Sequence, residues 1–165
     1  MTNASQTVVG GTGNLSGQPF TEPDTKPRGA PVSRNQHTVL VIDDDASFLH
    51  LVSSVLRKHG FDVLNASSGV KGLNMLAAGT VDIRVVVLDY SMPQLNGDET
   101  LKFVRQLNPN TKVIGLTAMK LDSVPKAYLD GVDVMLTKPV IATELIGAVY
   151  EFLGDGQAPS STSQS

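Results

Sequence analysis

Val85-Val86-Val87-Leu88-Asp89 is the stretch that decides the fold of this chain. Four apolar residues, three of them β-branched, end in a single carboxylate, which predicts a parallel strand that is buried on both faces. Met92-Pro93 and Asn96-Gly97 then predict a turn before the next helix begins. Because ligands of open α/β sheets bind at the carboxyl edge of the strands, Asp89 is predicted to be the chemical centre of the protein.

Strand-like and helix-like segments alternate on both sides of this stretch. The other predicted strands are Thr38–Ile42, Phe61–Ala66, Lys112–Leu116 and Val132–Leu136. Helical segments separate them, which predicts a doubly wound α/β fold: a five-stranded parallel sheet with five helices. For five strands we expect the flavodoxin-like order 2-1-3-4-5.

Apolar residues at helical spacing predict which helix faces are buried. The expected inward residues, helix by helix, are Phe48, Leu51, Val52, Val55 and Leu56; Val70, Leu73 and Leu76; Leu101, Val104 and Leu107; and Leu145, Ile146, Val149 and Phe152. Among the helix starts, Asn96 is expected to cap the third helix together with Glu99. Asp122 is expected to cap a short fourth helix that holds Pro125 in its first turn.

Both ends of the chain differ in composition from the middle. Residues 1–36 are rich in Gly, Ser, Thr, Asn and Pro, and residues 154–165 are again dominated by Gly, Pro, Ser and Gln. Such segments bury too little apolar surface to offset the entropy cost of ordering them. The sequence therefore predicts disordered tails at 1–36 and 154–165 and a single domain at 37–153.

The composition argues against several classes of protein. The chain of 165 residues contains no cysteine, which excludes disulfide frameworks, thiolate metal sites and cysteine nucleophiles. Its formal net charge of −3, with scattered basic residues, argues against direct nucleic-acid binding. No apolar run approaches the roughly 20 residues that span a bilayer, and we see no secretory signal. We expect no membrane partner, no direct nucleic-acid partner and a cytoplasmic location.

Carboxylates follow two neighbouring strands of the predicted sheet. The first strand is followed by Asp43, Asp44 and Asp45, and the third strand ends at Asp89. We expect Asp45 to cap the first helix, which leaves three carboxylates in one crevice. These repel one another unless a cation lies among them, and oxygen ligands favour a hard cation such as Mg²⁺.

A hydroxyl and a positive charge are predicted at the same edge of the sheet. Thr117 ends the fourth strand, and Lys138 follows the fifth. Lysine is a usual partner of phosphate, and the threonine hydroxyl can donate a hydrogen bond. The complete set of groups suits phosphoryl transfer to a carboxylate nucleophile.

Four motifs follow one another at the ends of the expected strands: Val41-Ile42-Asp43-Asp44-Asp45, Val87-Leu88-Asp89-Tyr90-Ser91-Met92-Pro93 with Gly97, Leu116-Thr117-Ala118, and Lys138-Pro139. In this order they resemble the receiver domain of two-component response regulators, over roughly Gln36 to Leu153. The resemblance implies a phosphorylation-dependent signalling switch. It implies no enzyme activity beyond the protein's own phosphorylation and dephosphorylation.

The resemblance also implies a role for each residue that binds metal. Asp89 is the implied phosphoacceptor. Asp44, Asp89 and the backbone carbonyl of Ser91 are the implied direct ligands of Mg²⁺, and Asp43 acts on the ion through a water molecule.

Further positions are implied to bind phosphate, to carry the switch or to set the lifetime of the phosphorylated state. Thr117 is the implied switch hydroxyl, and Lys138, before an expected cis proline bond, contacts the phosphoryl group. Met135 stands where the family usually has a tyrosine or phenylalanine, so the usual threonine–aromatic coupling is in question. Ser91 and Met119 flank the path of the water that attacks the acyl phosphate.

The implied partners are a sensor histidine kinase or a histidine phosphotransfer protein, and a downstream target protein. No output domain is seen after the receiver, so we expect the signal to be passed on through protein contacts. Three alternatives stay open. They are an inert receiver-like scaffold, a flavodoxin-like cofactor binder, and a haloacid-dehalogenase-like phosphohydrolase, to whose motif Asp43-x-Asp45 is similar.

Overall fold

The structure is a computed structural model that describes residues 38–154. The predicted disordered tails, apart from Gly154, lie outside these residues, as does His37 at the start of the predicted domain. Within residues 38–154, no helix has both the length and the apolar character needed to cross a membrane.

Strands and helices alternate along the described part of the chain. In chain order they are β1 (Thr38–Ile42), α1 (Ala46–Lys58), β2 (Asp62–Ala66), α2 (Gly69–Ala78), β3 (Ile83–Asp89), α3 (Gly97–Leu107), β4 (Lys112–Thr117), α4 (Lys126–Gly131), β5 (Val134–Thr137) and α5 (Ala142–Leu153). The strands pair in parallel in the order β2-β1-β3-β4-β5. The predicted doubly wound fold and its strand order are confirmed.

The central strand β3 is buried on both faces, as its apolar run predicts. Val85 and Val87 pack into a core with α1 and α5, whereas Val86 and Leu88 pack into a core with α3 and α4. These side chains alternate because successive residues of a strand point to opposite faces of the sheet. Full burial of each one stabilises the fold by about 1.5–3 kcal/mol, so the position of Asp89 at the end of this strand is firmly fixed.

The inward face of α1 differs by one position from the prediction. Leu51 is 60% exposed, and Leu49 is buried in its place. Ser53 is also buried, and its hydroxyl donates a 2.6 Å hydrogen bond to Asn65 Oδ1 on β2. The prediction used only the spacing of apolar residues, so it could not place the polar Ser53 on the inward face of α1. The predicted face was therefore shifted toward Leu51.

Two further predicted core residues, Val70 and Leu107, are exposed. Helix α2 lies against the sheet through small residues instead, because a Cβ atom on Gly72 would lie only 2.3 Å from Ile42 Cδ1. Leu107 is the last residue of α3, so its side chain extends past the packed part of the helix. The predicted inward residues Leu73 and Leu76 are partly buried against the core, whereas the closest contact with the sheet is made by glycine, which apolar spacing does not reveal.

The predicted caps of α1 and α3 are both present. Asp45 Oδ1 accepts hydrogen bonds from the Ser47 N–H at 2.8 Å and from the Phe48 N–H at 3.2 Å. Asn96 and Glu99 form a complete capping box at the start of α3. These caps satisfy N–H groups that a helix leaves without partners at its first turn.

The region around α4 was predicted wrongly. Asp122 lies inside a short 3-10 helix, Leu121–Ser123, and does not cap α4. Pro125 is the N-cap residue of α4, one position before the helix begins. The backbone of Pro125 has a non-helical ψ of 133°, while its carbonyl already accepts hydrogen bonds from the Tyr128 and Leu129 N–H groups, so the helix starts directly after it. The fifth strand likewise begins two residues later than predicted, at Val134.

Candidate functional site

Three strand ends bring charged side chains into one crevice at the carboxyl edge of the sheet. Asp43 follows β1, Asp89 ends β3, and Lys138 follows β5. The Lys138 N–H donates a 2.7 Å hydrogen bond to the Thr117 carbonyl, which holds the loop after β5 beside the end of β4. From there Lys138 Nζ reaches Asp43 Oδ2 at 2.6 Å and Asp89 Oδ1 at 2.8 Å.

Asp43, Asp44 and Asp89 form a cluster of carboxylates. One oxygen of each lies within 4.8 Å of the others. Asp43 and Asp89 are buried, whereas Asp44 faces solvent. Three oxygen donors this close together fit a small divalent cation, which would offset their mutual repulsion better than the single charge of Lys138.

Backbone hydrogen bonds fix the two buried carboxylates. Asp43 Oδ1 accepts from the Asp45 N–H at 2.8 Å, and Asp89 Oδ2 accepts from the Ser91 N–H at 3.0 Å. Each of these carboxylates therefore has one oxygen held by the backbone and the other held by Lys138. The Ser91 carbonyl, which the resemblance implies as a metal ligand, belongs to the same loop.

Burial and charge shift the pKa values in the crevice. Burial raises the pKa of Asp89, the hydrogen bond from Lys138 opposes this, and the charge of Asp43 raises it further, so the pKa lies above its ordinary value. Burial lowers the pKa of Lys138, but its bonds to Asp43 and Asp89 outweigh that effect and leave it raised. The lysine stays charged, and the charge on Asp89 costs free energy that a bound cation would reduce.

The other predicted site residues differ in their burial and in their contacts. Thr117 is fully buried, and its hydroxyl accepts a 3.0 Å hydrogen bond from the Met119 N–H. Among the residues that the structure describes, the Thr117 hydroxyl makes no hydrogen bond to Asp89. The Met119 side chain is 41% exposed, and Met135 is half-buried in the core on the α3 and α4 side of the sheet.

An aromatic residue that the sequence did not single out lies behind Met135. Tyr128 is fully buried, donates a 3.3 Å hydrogen bond to the Leu88 carbonyl, and has its ring centroid 4.9 Å from that of Tyr90. A Cβ atom on Gly115 would lie 3.2 Å from the Tyr128 hydroxyl oxygen. A glycine inside a buried strand indicates such a close approach, and it is the signal that points to this packing.

A second aromatic residue, Phe48, contacts the site directly. Lys138 Nζ lies 4.2 Å from the centroid of its ring. The sequence predicted Phe48 only as part of the inward face of α1. Phe48 and Lys138 also border an apolar groove of about 320 Å³ between α1 and the start of α5, which Pro139 and Val140 line as well.

The fold and the site together define a class of protein. Residues 39–150, more than half of the chain, match the family described as the response regulator receiver domain. The chain belongs to this family, whose members are signalling switches. The cis bond between Lys138 and Pro139 that the resemblance implied is also present.

Individual proteins of known name support the same assignment. The chain is 37% identical over 123 residues to the transcriptional regulatory protein CpxR homolog of Haemophilus influenzae, covering 74% of this chain and 52% of that one. It is 31% identical over 130 residues to the chemotaxis protein CheY of Treponema pallidum, covering 78% of this chain and 87% of that one. A receiver domain protein from Clostridium thermocellum has a structure that matches with a TM-score of 0.66 at 32% identity. That match covers 72% of this chain and 95% of the other. The chain spans about half the length of the CpxR relatives that it matches.

Proposed function

We propose that this protein is a phosphorylation-dependent switch that accepts a phosphoryl group on Asp89. The donor is a sensor histidine kinase or a histidine phosphotransfer protein, and the phosphorylated form changes its contacts with a downstream target protein in the cytoplasm. The observation that carries the proposal is the double contact of Lys138 Nζ with Asp43 and Asp89 beside the solvent-facing Asp44. The membership of the chain in the receiver family supports it further.

The acidic cluster is suited to hold Mg²⁺ during the transfer. Asp44, Asp89 and the backbone carbonyl of Ser91 are the proposed direct ligands, and Asp43 would act through a water molecule. Mg²⁺ bound there would neutralise charge on the phosphoryl oxygens. The solvent-facing carboxylate of Asp44 leaves the cation a route of entry into the crevice.

The residues of the crevice divide the chemistry among them. A carboxylate oxygen of Asp89 attacks the phosphorus atom, and the bond from phosphorus to the donor breaks with its electron pair going to the donor. The Lys138 ammonium lies 2.8 Å from Asp89 Oδ1, so it can bind and stabilise a negatively charged phosphoryl oxygen once Asp89 is phosphorylated. The Thr117 hydroxyl accepts from the Met119 N–H, so its own hydrogen is available for donation to another phosphoryl oxygen.

The structure bears on the alternative of a phosphohydrolase. A haloacid-dehalogenase-like enzyme needs a lid insertion after the first strand, but α1 begins at Ala46, directly after the run of aspartates. We therefore propose that the chain acts only on its own aspartate and does not turn over a separate substrate. We propose no direct contact with nucleic acid or with a membrane.

The full chain, incubated with Mg²⁺ and acetyl phosphate, tests the proposal through its intact mass. We expect a gain of one phosphoryl group, which should disappear when the metal is chelated. Asp89→Asn should keep the fold, because the amide is nearly isosteric with the carboxylate. It should show no gain of mass, because the amide is not nucleophilic. Asp82→Asn, an exposed position before the same strand, is the matched control and should behave like the wild type. A wild-type chain that gains no mass would indicate an inert scaffold.

A further inference from the structure

The ammonium group of Lys138 has an aromatic neighbour as well as two carboxylates. Its Nζ atom lies 4.2 Å from the ring centroid of Phe48, inside the distance of about 6 Å at which a cation is attracted to the face of an aromatic ring. The same atom bonds to Asp43 and Asp89. Three side chains from two separate strand ends and from α1 therefore fix one ammonium group.

The position of the Phe48 ring is fixed by the first turn of α1. The Phe48 N–H donates to Asp45 Oδ1 at 3.2 Å, and the Asp45 N–H donates to Asp43 Oδ1 at 2.8 Å. The half-buried Phe48 ring also packs against the core that α1 shares with α5. One short segment, residues 43–48, thus supplies both a carboxylate and an aromatic face to Lys138.

Lys138 borders two different environments. On one side is the acidic crevice, and on the other is the apolar groove, which Phe48, Leu51, Val55 and Pro139 also line. Lysine carries its charge on a flexible four-carbon stem, so its ammonium group is not held by its own covalent structure. A group that attracts the ammonium at the border between crevice and groove limits its movement away from Asp89.

We infer that Phe48 is a positioning residue for phosphoryl transfer: its ring holds the Lys138 ammonium beside Asp89, where the phosphoryl oxygens arrive. The inference rests on the proposed function of Asp89. Phe48 does not touch the reacting atoms and acts only through Lys138. Loss of the ring should slow phosphorylation by about 3-fold to 30-fold, the factor to which cation–π energies correspond.

The contact itself can be tested without any phosphorylation. The ε-methylene signals of isotope-labelled lysines are recorded by NMR in the full chain, and Lys138→Arg identifies the signal of Lys138. The ring current of Phe48 should shift this signal upfield in the wild type and in Phe48→Tyr. In Phe48→Leu and Phe48→Met, which keep apolar volume but have no ring, the signal should return toward those of exposed lysines.

The role in the reaction is tested by the rate of phosphorylation with acetyl phosphate and Mg²⁺. We expect slow phosphorylation in Phe48→Leu and Phe48→Met, and a rate near that of the wild type in Phe48→Tyr. Leu51→Ala is the matched control, because Leu51 lies three residues after Phe48 on α1 and lines the same groove without a ring, and this variant should keep the wild-type rate. Thermal unfolding is used to check that each variant is folded. One folded variant without the ring, either Phe48→Leu or Phe48→Met, is enough for the comparison.

The possible outcomes test different parts of the proposal. An unshifted Lys138 signal in the wild type, or a wild-type rate in a folded ringless variant, would overturn the inference. A rate that falls equally in Phe48→Tyr and Phe48→Leu would also overturn it, since the ring would then not be the cause. A wild-type chain that gains no phosphoryl group would overturn the proposed function and the role of Phe48 in the reaction, whereas the NMR signal would still decide whether the ring holds the lysine.

Discussion

Single charges determine what the crevice can do. Lys138 is the one cation in contact with Asp43 and Asp89 among the residues that the structure describes, and its raised pKa keeps it protonated at neutral pH. Its charge serves two purposes at once, because it offsets repulsion between carboxylates and can stabilise an incoming phosphoryl group. Substitution of Lys138 distinguishes its effect on stability from its effect on phosphoryl transfer.

Lys138→Ala should lose function far more than stability. When Mg²⁺ is present, the cation can offset the repulsion between the carboxylates, so we expect a thermal unfolding midpoint close to that of the wild type. Phosphorylation by acetyl phosphate should slow by about 10²-fold to 10³-fold, because a charged group that faces the transferred phosphoryl is lost. Lys126→Ala is the control, because this exposed lysine pairs with Asp130 and with no crevice residue in the part of the chain that the structure describes. A wild-type rate in Lys138→Ala would contradict this role.

Met119 provides a prediction about the lifetime of the phosphorylated state. Its partly exposed, apolar side chain cannot orient a water molecule, and Ser91 on the opposite loop is short. Hydrolysis requires a water placed in line with the acyl phosphate, so both residues should favour slow decay. We expect Met119→Asn and Met119→Glu to dephosphorylate faster than the wild type, as measured by loss of the added mass after acetyl phosphate is removed. Unchanged or slower decay would rule out shielding by Met119.

The packing of β4, β5 and α4 determines the surroundings of Met135, next to the site. Strand β4 carries Gly115 where Met135 of β5 and Tyr128 of α4 approach it, and Tyr128 in turn bonds to the Leu88 carbonyl of β3. The family usually has an aromatic residue at the position of Met135, and here Tyr128 brings an aromatic ring to the same region from a different element. The volume missing at Gly115 is filled by these two side chains.

Gly115→Ala should therefore destabilise the protein by about 1–3 kcal/mol, the usual cost of overpacking a core. The added Cβ atom would lie 2.7 Å from Met135 Sδ and 3.1 Å from Val132 Cγ1. Gly147→Ala, within α5, is the matched control, because nothing lies within 4 Å of its Cβ position and alanine favours the helix by about 1 kcal/mol. Urea unfolding should show a lower free energy of unfolding than the wild type for Gly115→Ala and a higher one for Gly147→Ala. A stabilising Gly115→Ala would contradict this account of the packing.

Asp133 joins three elements at the amino-terminal edge of the sheet. Its carboxylate accepts hydrogen bonds from Arg105 of α3, from Lys112 of β4 and from the Val113 N–H, each at 2.8 Å. Burial raises the pKa of Asp133, but these bonds outweigh that effect and hold the pKa below its ordinary value of 3.8. The charged form is therefore the one that stabilises the folded state.

This network predicts how stability depends on pH. The contribution of Asp133 is complete above pH 3.8 and is lost as the pH falls through its lowered folded-state pKa. Near neutral pH, Asp133→Asn should cost about 0.5–1.5 kcal/mol, because two charged donors lose a charged acceptor at a site where solvent screens part of the interaction. The difference from the wild type should shrink in acid, as measured by urea unfolding across this pH range. A difference that stays constant down to low pH would contradict the assignment.

The sequence predicted the elements better than the contacts between side chains. Apolar runs that end in charged residues located the strands and their functional ends, because both features depend on local sequence alone. The inward face of α1 was shifted because Ser53 is buried through its bond to Asn65, a contact that apolar spacing cannot reveal. The ring of Phe48 over Lys138 joins residues 90 positions apart and depends on the directions of both side chains.

For the whole molecule, we propose that the sheet brings its charged groups together to accept one phosphoryl group at one residue. The chain belongs to the receiver family, and the carboxyl ends of β1, β3 and β5 meet as that function requires. Asp43, Asp44 and Asp89 all lie in the crevice, so a gain of mass alone does not tell which carboxylate carries the group. We expect Asp89 to carry it, because Asp89 ends the central strand and its burial raises its pKa.

The most direct test is to locate the phosphoryl group in the wild-type chain. After reaction with acetyl phosphate and Mg²⁺, borohydride reduces an acyl phosphate to an alcohol, which converts the modified aspartate to homoserine. Peptide sequencing by mass spectrometry then identifies the position. We expect homoserine at position 89 alone, and none when the metal is chelated. Homoserine at position 43 or 44, or at no position in a chain that is folded and bound to Mg²⁺, would contradict it.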